Sequence, residues 1–228
     1  MESGIPRRGD IATRIAQQTL AKREADYADE VRRLLDAALK VVRACGTTSR
    51  PRVTDIVAEA GLSNDAFYRH FPSKSALVAA LFQDGNERLA SYTAHQMAKA
   101  STPVDKVRRW VEGVLAQTRD EWAATTLAVL WNGGNSGDNP NGVRYSSVLP
   151  LAELLREPLA ELGSADPEMD ASLVVHATVG KISDYLWLRV TPDQAAIEHI
   201  TEFCLRAVTP RPAPEPPADE RPEPGAAP

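Results

Sequence analysis

From Tyr27 onward apolar residues return at spacings of three and four: Tyr27, Val31, Leu34, Leu35, Ala38 and Val42. That period predicts an amphipathic helix, ended by Gly46 and the polar turn from Thr47 to Pro51. A short helix is predicted over Val53–Ala60, then Gly61, then a second short helix from about Asn64 to Phe71. Pro72 stops it, and Ser73 has the character of a cap for a longer helix running through Leu77 and Leu81 to about Lys99.

The remainder reads as helices throughout. Three starts place a capping residue before a proline at the first helical position: Thr102-Pro103, Asp166-Pro167 and Thr191-Pro192. Gln194 completes a capping-box pattern with Thr191. Apolar stripes run through Val104, Val107, Val111, Val114 and Leu115, and through Val175, Val179, Ile182 and Leu186. A third stripe is Ile197, Ile200, Cys204 and Ala207. Trp122–Trp131 is a short, very apolar helix, and the Gly-, Asn- and Asp-rich run at 133–142 predicts irregular backbone. Tyr145–Leu162 resumes a helix expected to bend or restart at Pro150 and Pro158. No segment reads as a strand, so the expected fold class is all-α. Four parts are expected: a flexible extension over 1–26, a three-helix part over 27–82, a larger helical part over 83–208, and a disordered Pro-rich tail over 209–228.

The formal net charge of −5 argues against a nucleic-acid partner until its distribution is considered. Residues 1–82 carry 13 Lys and Arg against 10 Asp and Glu, whereas the rest carries 13 against 21. Only the part that touches phosphate needs positive potential, so a mildly basic first part on an acidic remainder suits a modular regulator. Arg7 and Arg8 are compatible with an arm along DNA or with a plain solvated terminus. No apolar run reaches the roughly 18 residues of a membrane span, and the first residues lack the apolar stretch of a secretory signal. A cytoplasmic location without membrane contact is expected. Cys45 and Cys204 lie far apart inside helical patterns and read as free, packed thiols rather than a disulfide or metal pair.

Two short helices joined at a glycine form a helix-turn-helix candidate. Gly61 tolerates the left-handed backbone that a steep departure requires. With Phe67 set at zero and steps of about 100° per residue, Phe71 falls at about 40°, Tyr68 at about 100°, Asp65 at about 160° and Arg69 at about 200°. Phe67 and Phe71 therefore face a small core with Ile56, Val57, Ala60 and Leu62, while Asp65, Tyr68 and Arg69 face away. Asn64 stands at the helix N-terminus, the end such motifs present to base edges. Ser63 caps that terminus, and Lys74 with the N–H groups behind Ser73 offers a second phosphate site.

The run from Leu62 to Lys74, LSNDAFYRHFPSK, closely resembles the recognition helix of the TetR (tetracycline-repressor-like) family, with its capping Ser, its Tyr, its His-Phe pair and its Ser-Lys start to the next helix. The upstream TDIVAEAG resembles the family's first motif helix, and the likeness covers Val31 to Leu81. The resemblance implies a transcriptional regulator that binds a double-stranded DNA operator. It implies that Ser63, Asn64, Asp65 and Ala66 enter the major groove, and that Thr54, Tyr68, His70 and Lys74 contact DNA. Arg69 joins them by its place on the outward face. Three features depart from the pattern: Val57 in place of a small alanine, Arg52 where a Ser or Thr cap is usual (leaving Asp55 for that helix terminus), and a linker Thr47–Arg52 that is one residue longer than usual. Asp65 admits two readings, acceptance from a cytosine amino group or a favourable charge at the helix N-terminus.

By the same resemblance the last two helices pair with those of a second copy, with Val175, Val179, Ile182, Leu186, Ile200, Phe203 and Cys204 as candidates; the competing reading places these residues in the chain's own core. A dimer also follows from the task, since one short helix reads too few base pairs to find an operator and a two-fold pair reads a palindrome. Family members sense a small molecule in the bundle. Trp110, Trp122, Trp131, Asn132, Tyr145, His176 and Tyr185 are the large or polar groups on otherwise apolar helices, and they suit an apolar or aromatic effector. The competing reading makes the tryptophans plain core and His176 a satisfied core histidine. The expected mechanism is repression with release by ligand, through a tilt of the helix that starts at Ser73.

An enzyme is the alternative of a different class. His70, His95, His176 and His199 are dispersed without metal-ligand spacing. The GNSGD at Gly134–Asp138 lacks the GxSxG elbow and a preceding strand. No catalytic residue and no cofactor is expected. A DNA-coating protein without ligand control is disfavoured by the acidic larger part, because coating would spread positive charge more widely.

Overall fold

A computed structural model describes residues 8–134 and 140–208, and these residues form helices and turns with no strand among them. The order is α1 (Arg8–Cys45), α2 (Val53–Ala60), α3 (Asn64–His70), α4 (Lys74–Met97), α5 (Pro103–Leu115), a short 3-10 turn (Ala116–Thr118), α6 (Asp120–Gly134), α7 (Pro140–Glu161), α8 (Pro167–Leu188) and α9 (Gln194–Val208). Of the stretch 133–142 expected to be irregular, residues 133–134 and 140–142 are helical, and residues 135–139, with most of GNSGD, lie outside the described residues.

The first helix departs from expectation. It begins at Arg8, not near Tyr27, so residues 8–26 are helical. Residues 11–29 are exposed throughout, including Ile11, Ile15 and Leu20, so no core face announces this segment as a period. Its Ala, Gln, Lys, Arg and Glu content favours helix by local propensity, and the packed part of α1 supplies the nucleus. Arg7 lies outside the described residues.

Two apolar cores organise the chain. The first joins Leu34, Ala38 and Val42 of α1 to Ile56, Val57 and Ala60 of α2, Phe67 of α3, Leu77 and Leu81 of α4, and Ala128 of α6. The second joins Met97, Val107, Trp110, Val111, Leu127, Leu151, Leu155, Val175 and Cys204 among others. The expected boundary after residue 82 falls inside α4, which belongs to both cores. So does α6: Leu127 lies in the second core, and the next residue, Ala128, in the first.

Local signals behave unevenly. Thr102 accepts from the Asp105 N–H at 3.1 Å and Asp166 from the Met169 N–H at 3.0 Å, as cap-plus-proline predicts. The capping box at Thr191 does not form. Helix α9 starts later, and Asp193 accepts from the Ala196 N–H at 2.8 Å while the Thr191 hydroxyl is directed 3.4 Å to the Thr118 carbonyl. Helix α7 runs unbroken through Pro150 and Pro158, because Leu151, Leu155 and Leu159 are fully buried one turn apart and their packing outweighs the roughly 3 kcal/mol that an interior proline costs. Both cysteines are free, Cys204 is buried, and burial raises its thiol pKa.

Where α4 crosses α5, Thr93 is fully buried and its hydroxyl finds no partner among the described residues. A β-carbon on Gly113 would stand 3.1 Å from that hydroxyl, so the glycine permits the close approach of the two helices. An orphaned buried hydroxyl costs about 1 kcal/mol or more. Thr93→Val, which keeps the shape, should therefore raise the urea midpoint with an unchanged slope; a lower midpoint would show that the hydroxyl is satisfied.

Candidate nucleic-acid interface and effector bundle

The motif's turn is set by Gly61, whose φ of 63° and ψ of 37° are left-handed. Its N–H bonds to Ala58, and the Leu62 N–H reaches the Val57 carbonyl at 2.9 Å. Arg33 on α1 closes the same turn, donating from Nη2 to the Ala60 carbonyl at 2.7 Å and the Gly61 carbonyl at 3.1 Å. A cation at the C-terminal end of α2 also meets the favourable end of the helix dipole. Sequence reasoning missed Arg33, which reads there as a solvated residue between apolar ones.

The Ser63 hydroxyl accepts from the Ala66 N–H at 3.1 Å and starts α3. Phe67 is fully buried and Phe71 nearly so, while Asn64, Asp65, Tyr68 and Arg69 are exposed. This is the disposition the helical angles predict. Ala66 is a correction: it is buried, turned to the core and away from any groove. Asp65 sits in the first turn of α3, where its charge meets the positive end of the dipole.

His70 is the larger correction. Its side chain is 0% exposed, and Nε2 lies 2.6 Å from Oε2 of Glu30, which accepts the bond. The ring stands edge-on to Tyr27 at a centroid distance of 4.2 Å. Arg69 Nη1 lies 3.6 Å from the same carboxylate oxygen. His70 therefore ties the end of α3 to α1 and is withdrawn from the exposed face, and only three-dimensional proximity across 40 positions reveals Glu30 as its partner. The hydrogen bond from His70 and, after it, the charge of Arg69 hold the Glu30 carboxyl below its ordinary range.

Lys74 is partly committed as well. Its Nζ donates to the Pro51 carbonyl at 3.2 Å and joins the start of α4 to the segment before α2; two ammonium hydrogens remain for a phosphate. Ser73 caps α4 through the Ala76 N–H at 3.1 Å. Thr54 is exposed on α2. No side chain caps α2: Asp55 instead pairs with Arg52 Nε at 3.3 Å, against the expectation that it would serve the helix terminus.

The effector candidates do not converge. Trp110 is fully buried, and its Nε1 donates to the Leu151 carbonyl at 3.0 Å, which makes it a satisfied core residue. Trp122 is exposed. Trp131 meets Trp187 edge-on at 5.6 Å, and Asn132 donates to the Ala128 carbonyl one turn back. His176 is exposed, with Nδ1 2.7 Å from the Ser172 carbonyl, so it lines neither core nor pocket. The side chain of Tyr145 lies outside the described residues. Tyr185 lines a cleft of about 330 Å³ that also takes in Thr47 and Arg189.

The dimer candidates divide between this chain's own core and its surface. Val175, Ile182, Leu186 and Cys204 are buried in this chain's own second core, and Val179 and Ile200 are half-buried against it. The more continuous apolar stripe of an amphipathic helix goes to its own core first. Phe203 is 53% exposed, and so stand Met169 at 56%, Leu173 at 60% and Trp187 at 52%. Met169, Leu173, Gly180 and Trp187 fall within about 40° on the helical wheel. Interruption of this stripe by His176 and Gly180 hid it from the sequence.

Residues 34–81 match the family model described as bacterial regulatory proteins, tetR family. Among solved structures, a TetR-family transcriptional regulator from Streptomyces coelicolor is 20% identical with a TM-score of 0.61, covering 83% of this chain and 95% of its own. GusR of Salmonella enterica is 20% identical with a TM-score of 0.59, covering 78% and 95%. The transcriptional regulator FadR from Bacillus subtilis, solved in complex with stearoyl-CoA, is 18% identical with a TM-score of 0.55, covering 78% and 97%. No curated protein matches.

Glu30 supplies a test of the strut. Its lowered pKa means that its contribution to stability is present above the ordinary value of 4.5 and is lost as pH falls through the lower folded value. Glu30→Gln should lower the thermal midpoint at neutral pH, and the gap from wild type should narrow below about pH 4.5. A gap that is constant with pH would remove the carboxylate from the account.

Proposed function

We propose that this chain, whose residues 34–81 match the family model described as bacterial regulatory proteins, tetR family, is a homodimeric repressor that binds a palindromic operator and leaves it when a small molecule binds. The observation that carries the reading is the asymmetry of α3. One side is locked by Phe67 and His70, and the other presents Asn64, Asp65, Tyr68 and Arg69 to solvent. A rigid helix with polar groups on its free side suits major-groove reading, with Tyr68 and Lys74 placed for the backbone and Asn64 for a base edge.

The exposed stripe of α8, with Phe203 of α9, supports a two-fold pairing of copies. Monomers rarely expose contiguous apolar surface of this kind, and a two-fold axis uses the same patch twice. Among the described residues no helix is long and apolar enough to cross a membrane. The need to reach an operator supports a cytoplasmic location. The Bacillus subtilis neighbour was solved with stearoyl-CoA, and an apolar or aromatic effector is the class that the apolar bundle of this chain suits.

Titration of the full chain against DNA flanking its own coding region, by fluorescence anisotropy at physiological salt, tests the first part. Tyr68→Ala should weaken that binding roughly ten-fold and leave dimerisation unchanged; equal affinity for scrambled DNA sinks the sequence-specific reading. For the second part, Leu173→Asp should yield a folded monomer in sedimentation velocity, because a charge at the centre of an apolar two-fold patch is buried twice. A variant that still sediments as a dimer would move the interface elsewhere.

A further inference from the structure

The cleft of about 330 Å³ lies on the seam between the DNA-binding part and the larger bundle. The turn after α1 contributes Thr47, α6 contributes Ala124 and Leu127, and the end of α8 contributes Tyr185 and Arg189. Its size falls at the lower end of the range for small-molecule sites. Hydroxyls of Thr47, Thr191 and Tyr185 alternate with apolar surface, and no carboxylate is among the lining residues. Arg189 is the one lining residue with a full charge.

Arg189 is unusual on a second, independent count. It ends α8 with φ 53° and ψ 42°, the one non-glycine residue of positive φ among the described residues. Helices commonly end this way, but the residue that does so without opposition from a β-carbon is glycine. An arginine stands where glycine would be less strained, and it forms no ion pair among the described residues. Backbone strain of this sort gathers at ligand sites.

We propose that this seam cleft is a regulatory site for a small organic carboxylate with a short apolar or aromatic body. Arg189 takes the carboxylate as a charge-assisted pair, the Thr47 and Tyr185 hydroxyls complete its hydrogen bonds, and the apolar body lies along Leu127. Occupancy wedges the end of α1 against α6 and α8. Because α6 belongs to both cores, that displacement reaches the seating of the reading helix. The DNA-linked half of this proposal rests on the regulator reading above, and the binding half does not.

The probe is benzoate, with benzyl alcohol as the neutral control, followed by calorimetry on the full chain and by operator anisotropy. Benzoate should bind with one site per chain and the alcohol should bind about ten-fold more weakly or not at all, as loss of a charge-assisted pair requires. Arg189→Gln should lose benzoate to a similar degree. Arg189→Gly should lose it while its thermal midpoint holds or rises, since glycine relieves the left-handed backbone; that combination separates a ligand role from a structural one. Saturating benzoate should shift operator affinity in wild type and leave Arg189→Gln unmoved. Absence of benzoate binding, or binding that is indifferent to both substitutions, overturns the site. Binding intact with operator affinity unchanged overturns its regulatory role. A chain that binds benzoate but no DNA overturns the regulator reading and leaves the site standing.

Discussion

Helix α3, at seven residues, has less than the length at which a helix sustains itself in water, so everything it does depends on what holds it. Three anchors do so. Phe67 fills the first core from the middle, Ser63 closes the first turn, and Glu30 holds the last residue through His70. Of these the Glu30–His70 bond is the one that fixes direction, because it joins the free end of α3 to the longest helix in the chain. Remove it and the exposed side chains of α3 keep their identities but lose a common frame.

The same carboxylate shapes the charge of the reading face. Arg69 is shared between solvent and Glu30, so its guanidinium reaches a phosphate only by giving up part of an existing pair. Exposed pairs of this kind are worth little in water, and the exchange is close to balanced. The face is thus less basic than a count of Lys and Arg over residues 1–82 suggests. Lys74 and Arg52 are similarly engaged with the Pro51 carbonyl and Asp55. Shape and position, more than free positive charge, distinguish this surface.

What the sequence made legible follows from the range of the forces concerned. Caps, the glycine turn and the angular order of α3 arise from neighbours within four residues, and Ser63, Gly61, Thr102 and Asp166 were readable for that reason. Phase against a partner is different. Val175 and Leu173 sit on opposite sides of α8, and nothing local says which side the chain keeps for itself. Arg33, Glu30 and the buried state of His70 belong to the same kind, since each acts across tens of residues. The Arg8–Asp26 stretch failed for the converse reason: helix without burial leaves no period to read.

Communication between the bundle and the reading head has a narrow material basis. Only α1, α4 and α6 carry packed residues near the seam from the first core, and packed interiors transmit displacement in place of absorbing it. Helix α6 is the shortest lever of these, with Leu127 in one core and Ala128 in the other. A rotation of α6 that suits a ligand on one side must therefore repack the other within a single residue. Small side chains at Ala123, Ala124 and Ala128 lower the steric resistance to that rotation, whereas the Ser73-capped start of α4 resists it by being tied to Pro51 through Lys74. On the proposal of a ligand in the cleft, the contacts that lead from it to the end of α3 run through α1 and the Glu30–His70 bond.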